Sequence, residues 1–158
     1  MKRLSVIAAF GLTVLATQAS AGVACVTPNN VNAMATQIFD GVNQSRRANG
    51  KSQLNYNPTL GQAAMSHACD MLVNDFFSHE GTGGTTVQAR VRRAGYQDCL
   101  VAENIAWGYP TAGQIVTGWM NSPGHRSNML HARATEMGIG ITQGPKGPNW
   151  VLVVAKPC

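Results

Sequence analysis

A chain of 158 residues, 44% apolar and 12% charged, is long enough to bury one core and too apolar for a disordered tail. Its formal charge of +5 is modest. The basic residues are scattered apart from Arg46-Arg47 and Arg90/Arg92/Arg93, and neither group is interleaved with aromatics, which argues against a nucleic-acid surface and leaves both as solvated helix faces.

In chain order, Lys2 and Arg3 precede an apolar run from Leu4 to Ala16 that ends in Ala19-Ser20-Ala21. A basic start, a short apolar segment and a small-x-small site describe a secretory signal peptide over residues 1–21. The run is too short for a spanning helix, and no later apolar run could cross a membrane. The expectation is one exported domain over residues 22–158, periplasmic or extracellular. Its four cysteines, Cys25, Cys69, Cys99 and Cys158, then argue for two disulfides, and no CxxC pair suggests metal ligation. Three pairings are open; joining Cys25 to Cys158 would staple the two ends and leave Cys69 with Cys99.

Val31, Met34, Ile38 and Val42 recur at helical spacing, and Asn49-Gly50 stops that helix. Asn43-Gln44-Ser45 fits a glycosylation sequon but falls inside it. A second helix starts at Pro58 with Asn57 as cap and carries Leu60, Ala64, Ala68 and Met71 on its apolar face. His67 reads as a satisfied histidine at that helix's surface. Met65, Met71, Met120 and Met129 read as core filling.

Phe76 to Glu80, with His79, leads into Gly81-Thr82-Gly83-Gly84, a flexible loop. Thr85 or Thr86 caps a helix through Val87, Val91 and Ala94, closed by Gly95. Val101, Glu103, Ile105 and Trp107 then share one face of a strand. Glu103 is the odd member, and a carboxylate buried there needs an ion, a histidine or an arginine opposite it.

Thr111 starts a helix holding Ile115, Val116 and Trp119. Ser122-Pro123 opens another as cap and first position, with His125 on its first turn. The positive end of the helix dipole favours the neutral imidazole, the form that binds a metal or acts as a base. Trp119 and Trp107 are expected to pack beside His125 and exclude water from it.

Met137, Ile139 and Ile141 alternate with Gly138, Gly140 and Thr142, and those glycines suggest close packing against that face. Trp150 to Ala155 is apolar on both faces, as in a strand covered on both sides. Together the elements suggest a helix–sheet–helix sandwich of the α+β class.

His79, Glu103 and His125 could form a three-ligand divalent-metal site with a position left for water. They could equally be a metal-free network in which Glu103 orients one imidazole.

FSHEG at 77–81, AENIA at 102–106 and WMNSPGHRSNML at 119–130 resemble, in order and spacing, the bacterial branch of the CAP superfamily. That superfamily holds the cysteine-rich secretory, antigen 5 and pathogenesis-related proteins, also called SCP domains. The late pair Glu136–Gly140 and Trp150–Ala155 extends the likeness from about Phe39 to the C-terminus. The resemblance implies a three-layer α–β–α sandwich with a small central, mainly antiparallel sheet. It places His79, Glu103 and His125 in a central cleft, with Ser122 where eukaryotic relatives often carry a second glutamate. It further implies a divalent metal such as zinc, a lipid or sterol, or a peptide or protein partner.

Three functions follow as expectations. The first is a secreted binding module. The second is a metal-assisted hydrolase with Glu103 or Glu80 handling the proton. The third is a disulfide-stapled interaction domain with a vestigial cleft. Against hydrolysis, His79-Glu80 is not followed by the second histidine of HExxH, and no GxSxG elbow exists.

Overall fold

A computed structural model describes residues 24–158; the expected leader over residues 1–21 lies outside the described residues. Among the described residues five α-helices flank one four-stranded sheet: α1 Val31–Ala48, α2 Pro58–Val73, α3 Val87–Arg93, α4 Ala112–Asn121 and α5 Pro123–Met129. The strands are β1 Asn55–Tyr56, β2 Asp98–Trp107, β3 Glu136–Gly144 and β4 Gly147–Pro157. Their order is β1-β3-β4-β2, antiparallel except for the two-residue parallel pairing of β1 with β3. This is the expected mainly antiparallel sheet between helical layers.

Alternation along the strands separates two cores. On one face Ala106, Met137, Ile139, Ile141, Trp150, Leu152 and Val154 pack with α1 and α4, including Ile38, Val42, Ile115 and Trp119. On the other, Ile105, Val151, Val153 and Ala155 pack with Leu60, Ala64, Ala68 and Met71 of α2 and Val91 of α3. Trp150–Ala155 therefore feeds both cores, as its two-sided apolarity predicts.

Gly138 and Gly140 bring α2 onto the sheet. A Cβ at Gly138 would stand 2.1 Å from the Leu60 carbonyl carbon, and one at Gly140 2.3 Å from that of Ala64. Both contacts are with backbone, so no side chain could yield to relieve them. The caps are as expected at three helices: Asn57 accepts from the Thr59 and Leu60 amides, Thr86 from Ala89 and Thr111 from Gln114. Ser122 occupies the cap position of α5, but its side chain makes no capping bond.

The disulfides correct the expected pairing. Cys25 joins Cys69 and Cys99 joins Cys158, rather than Cys25 with Cys158 and Cys69 with Cys99. The sheet register decides this. Asp98 at the start of β2 lies opposite Pro157 near the end of β4, so the last residue falls beside Cys99. The N-terminal segment runs instead along α2 and the end of β3, where the Gln143 amide donates to the Val26 carbonyl at 2.7 Å.

One arginine of each basic group departs from the solvated reading, while Arg47, Arg92 and Arg93 are exposed as expected. Arg46 is fully buried and Arg90 is 6% exposed. The sequon is closed, because the Asn43 side chain is buried and bonded to both the amide and the carbonyl of Leu54.

Candidate functional site around Glu103

The site forms where β2 reaches the edge of the sheet. Glu103 projects from β2 towards α2 and α3, and it is 5% exposed. A carboxylate taken that far out of water must be paired, and it is. Arg90 Nη2 donates to its Oε2 at 2.7 Å, and His79 Nδ1 lies 2.9 Å from its Oε1. The arginine and the histidine that a buried Glu103 demands both stand there.

Arg90 does more than neutralise. Its Nη1 donates to the Thr85 carbonyl at 2.6 Å and its Nη2 also to the His79 carbonyl at 3.1 Å, tying the loop between α2 and α3 to its own helix. Asp70 on α2 holds the same loop by accepting from the Thr82 amide at 2.8 Å and its hydroxyl at 2.6 Å. Burial pushes the Asp70 carboxyl up, but the hydrogen bonds from Thr82 and Asn74 outweigh it and hold the group below the usual carboxylate range. The stretch Thr82–Gly84, expected to be a flexible loop, is a 3-10 turn in which Gly83 takes φ 71° and Gly84 φ 74°. Such left-handed angles favour glycine.

Opposite this loop stands α5. Asn104 Nδ2 donates to the His125 carbonyl at 2.9 Å, while Asn128 Nδ2 donates to the Glu103 carbonyl and to Asn104 Oδ1. The two asparagines pin α5 to the edge of β2, so His125 and His79 approach from opposite helical layers. Burial first, then the neighbouring His79 imidazole, holds His125 below the ordinary imidazole range. His125 is half-buried, and the His79 side chain is 57% exposed.

His67 is not a surface histidine. It is fully buried on α2, with Nε2 2.9 Å from the Ser78 carbonyl and 3.8 Å from Glu103 Oε1. Burial, the largest influence, lowers its affinity for a proton. Of the two tryptophans, Trp107 departs from expectation. Trp119 is buried, its Nε1 donating to the Ile105 carbonyl at 3.4 Å, whereas Trp107 is 49% exposed and pairs with Phe77 at 6.3 Å between ring centroids. Trp107 therefore forms part of a wet aromatic rim rather than a seal. Beside that rim lies a groove of about 480 Å³ lined by Met71, Leu72, Phe76, Phe77, Trp107 and Lys146. Neither His79 nor His125 lines it. Glu80 is exposed, and among the described residues its carboxylate forms no ion pair.

Residues 39–155 match the cysteine-rich secretory protein family, CAP. The chain belongs to that family. Over 123 residues this CAP domain is 29% identical to the uncharacterized protein YkwD of Bacillus subtilis (strain 168), covering 78% of this chain and 47% of that one. An extracellular SCP-domain protein from Bacillus anthracis superposes with a TM-score of 0.73 at 29% identity, over 79% of this chain and 41% of that one. An outer surface protein from Borrelia burgdorferi shares the fold at a TM-score of 0.76 and 19% identity, over 85% and 99% of the two chains. The chain thus spans less than half the length of the first two of these relatives.

Arg90, Asn104, Asn128 and His67 are the site residues that sequence reasoning passed over. Asn104 and Asn128 lie inside the quoted AENIA and SNML motifs, so a signal existed for them. For His67 and Arg90 the signal was helical spacing, three residues after Ala64 and after Val87, which puts both on buried faces.

Among the described residues no group of three or more His, Cys, Asp or Glu stands at metal-ligand spacing. Glu103 is committed to Arg90 and His79, and a guanidinium on its carboxylate repels a cation arriving there. The carboxylate is thus already satisfied by protein groups.

Proposed function

We propose that this CAP domain works outside the cytoplasm as a binding module in which His79 and His125 hold one divalent cation of the zinc class. The observation that carries this is the Glu103–His79 pair. With a buried carboxylate accepting at 2.9 Å, the His79 proton belongs on Nδ1. The other ring nitrogen keeps its lone pair on a ring that is 57% exposed. A carboxylate behind one imidazole nitrogen is the arrangement that orients a metal-ligating histidine and raises its basicity. When bound, the cation supplies a Lewis-acid centre with positions open to water or to a ligand's oxygen. The depressed proton affinity of His125 supports the same reading, since a neutral imidazole is the ligand form.

Export is supported by the leader-like start of the sequence, by the two disulfides, and by relatives described as extracellular or outer-surface. Among the described residues, no helix is long and apolar enough to cross a membrane. The separate groove at Phe76, Phe77 and Trp107 would receive the apolar part of a lipid, sterol or peptide ligand.

Calorimetric titration of the chelator-treated, disulfide-intact protein with zinc tests the proposal. We expect one site, weakened as pH falls and the imidazoles protonate, and lost in His79→Ala and in His125→Ala. Unchanged binding in the double variant would sink it.

A further inference from the structure

His79 is fixed through its backbone as much as through its ring. Three groups from three elements converge on it: Glu103 of β2 accepts from its Nδ1, Arg90 of α3 donates to its carbonyl, and His67 of α2 reaches the carbonyl just before it, that of Ser78. Arg90 and Glu103 also satisfy one another. His67 Nε2, by contrast, stands 3.8 Å from Glu103 Oε1, beyond hydrogen-bond reach. Among the described residues its Nδ1 finds no hydrogen-bond partner, although the side chain is fully buried against Phe76.

An imidazole with a bare nitrogen in a core costs free energy that an apolar side chain would not. Its neighbours on the buried face of α2, namely Leu60, Ala64, Ala68 and Met71, are all apolar. Packing alone therefore does not account for a histidine here. What it adds is one donor, Nε2–H, aimed at the Ser78 carbonyl.

We infer that His67 is a positioning residue: by holding the Ser78–His79 peptide it keeps the His79 ring on Glu103, with its other nitrogen turned to the ligand. This deepens the two-histidine reading and rests on it, but its test does not depend on metal alone. In His67→Gln the amide nitrogen can stand where Nε2 stands, and in His67→Asn it stops near the place of Nδ1. The two variants thus separate the donor to Ser78 from any role of the bare nitrogen.

Each variant is prepared as the full disulfide-intact chain, its folding checked by a cooperative thermal melt. Zinc affinity is measured by calorimetry, and the His79 tautomer by imidazole nitrogen shifts in the metal-free protein. We expect His67→Gln to keep the Nδ1–H tautomer of His79 and bind zinc within about threefold of the parent. His67→Asn should mix the tautomers and weaken zinc by about 10-fold or more, the scale of losing an outer-shell partner. Should His67→Asn not fold, His67→Met, which fills the volume without a donor, takes its place with the same expectation. Equal behaviour of the donor and non-donor variants in both measurements overturns the inference, as does a His67→Gln protein that cannot fold. If the parent binds no zinc, the two-histidine reading fails instead, and the tautomer comparison alone decides the role of His67.

Discussion

Arg46 and Arg90 are both buried, both lie near the C-terminal end of a helix, and both look like surface residues in the sequence. Their partners differ. Among the described residues Arg46 meets no carboxylate: it donates to the carbonyls of Ser52, Met129, His131 and Ala134, at 2.7 to 3.4 Å. Those four oxygens belong to the chain leaving α1 and to the passage from α5 into β3, so Arg46 fastens backbone to backbone. Arg90 meets two carbonyls and one carboxylate, and the carboxylate leads directly to an exposed histidine. A buried cation satisfied by dipoles serves the fold. One satisfied by a counter-charge at the sheet edge passes its influence to a site.

This contrast can be broken experimentally, and the largest effect should come from Arg46. Arg46→Met strips donors from four carbonyls, of which those of Met129 and Ala134 are buried. At about 1–3 kcal/mol per unsatisfied buried group, the loss should be on the order of 5 kcal/mol in denaturant unfolding. Zinc stoichiometry of the molecules that remain folded should be unchanged. A variant that kept stability but lost the cation would invert the assignment.

Arg90→Met should cost about 3–4 kcal/mol, because it leaves Glu103 as an uncompensated buried charge. Adding Glu103→Leu should restore most of that stability, since the pair is removed together, but not cation binding. If the double variant is as unstable as the single one, charge pairing is not what Arg90 contributes.

Glu103→Gln keeps the shape and removes the charge. It should lower zinc affinity about 10- to 100-fold with a smaller effect on stability, because His79 loses its basic partner. Calorimetry beside a thermal melt separates the two effects; an unaltered affinity would detach Glu103 from His79 function.

The smallest effect is in the pH dependence. His67 and His125 bind protons less readily in the folded chain than in the unfolded one. Their contribution is therefore complete above about pH 6.5, the ordinary imidazole value, and is lost as pH falls from there towards their folded values. Asp70 and Asp98, held below the usual carboxylate range, act in a lower window, with their contribution fading below roughly pH 5. His67→Gln should flatten the upper part of the acid limb and leave the lower part alone. An upper limb identical to the parent's would remove His67 as its source.

Local chemistry and periodicity determined much of this protein from the sequence alone. Asn57-Pro58, Thr86 and Thr111 announce helix starts because capping is a matter of a few adjacent atoms. Gly138 and Gly140 announce close packing on one face of the sheet, and the structure shows that α2 is what lies there. The motifs around His79, Glu103 and His125 were legible as a family likeness, and the isolated carboxylate on an apolar face predicted its own partners.

Only the tertiary structure decided which cysteines pair, which arginines are buried and what Glu103 does. Disulfide partners follow from the register of β2 against β4, a relation between segments far apart in the chain. Arg46 falls four residues after Val42 and Arg90 three after Val87, so each continues an apolar face, but only tertiary packing supplies the oxygens that satisfy their guanidinium groups. The sequence left Glu103 open between a ligand and a partner of an imidazole; two long-range contacts, with Arg90 and His79, show how its carboxylate is satisfied. Spacing along a chain reports what can lie on one face of an element. It does not report which charge from another element will arrive there first.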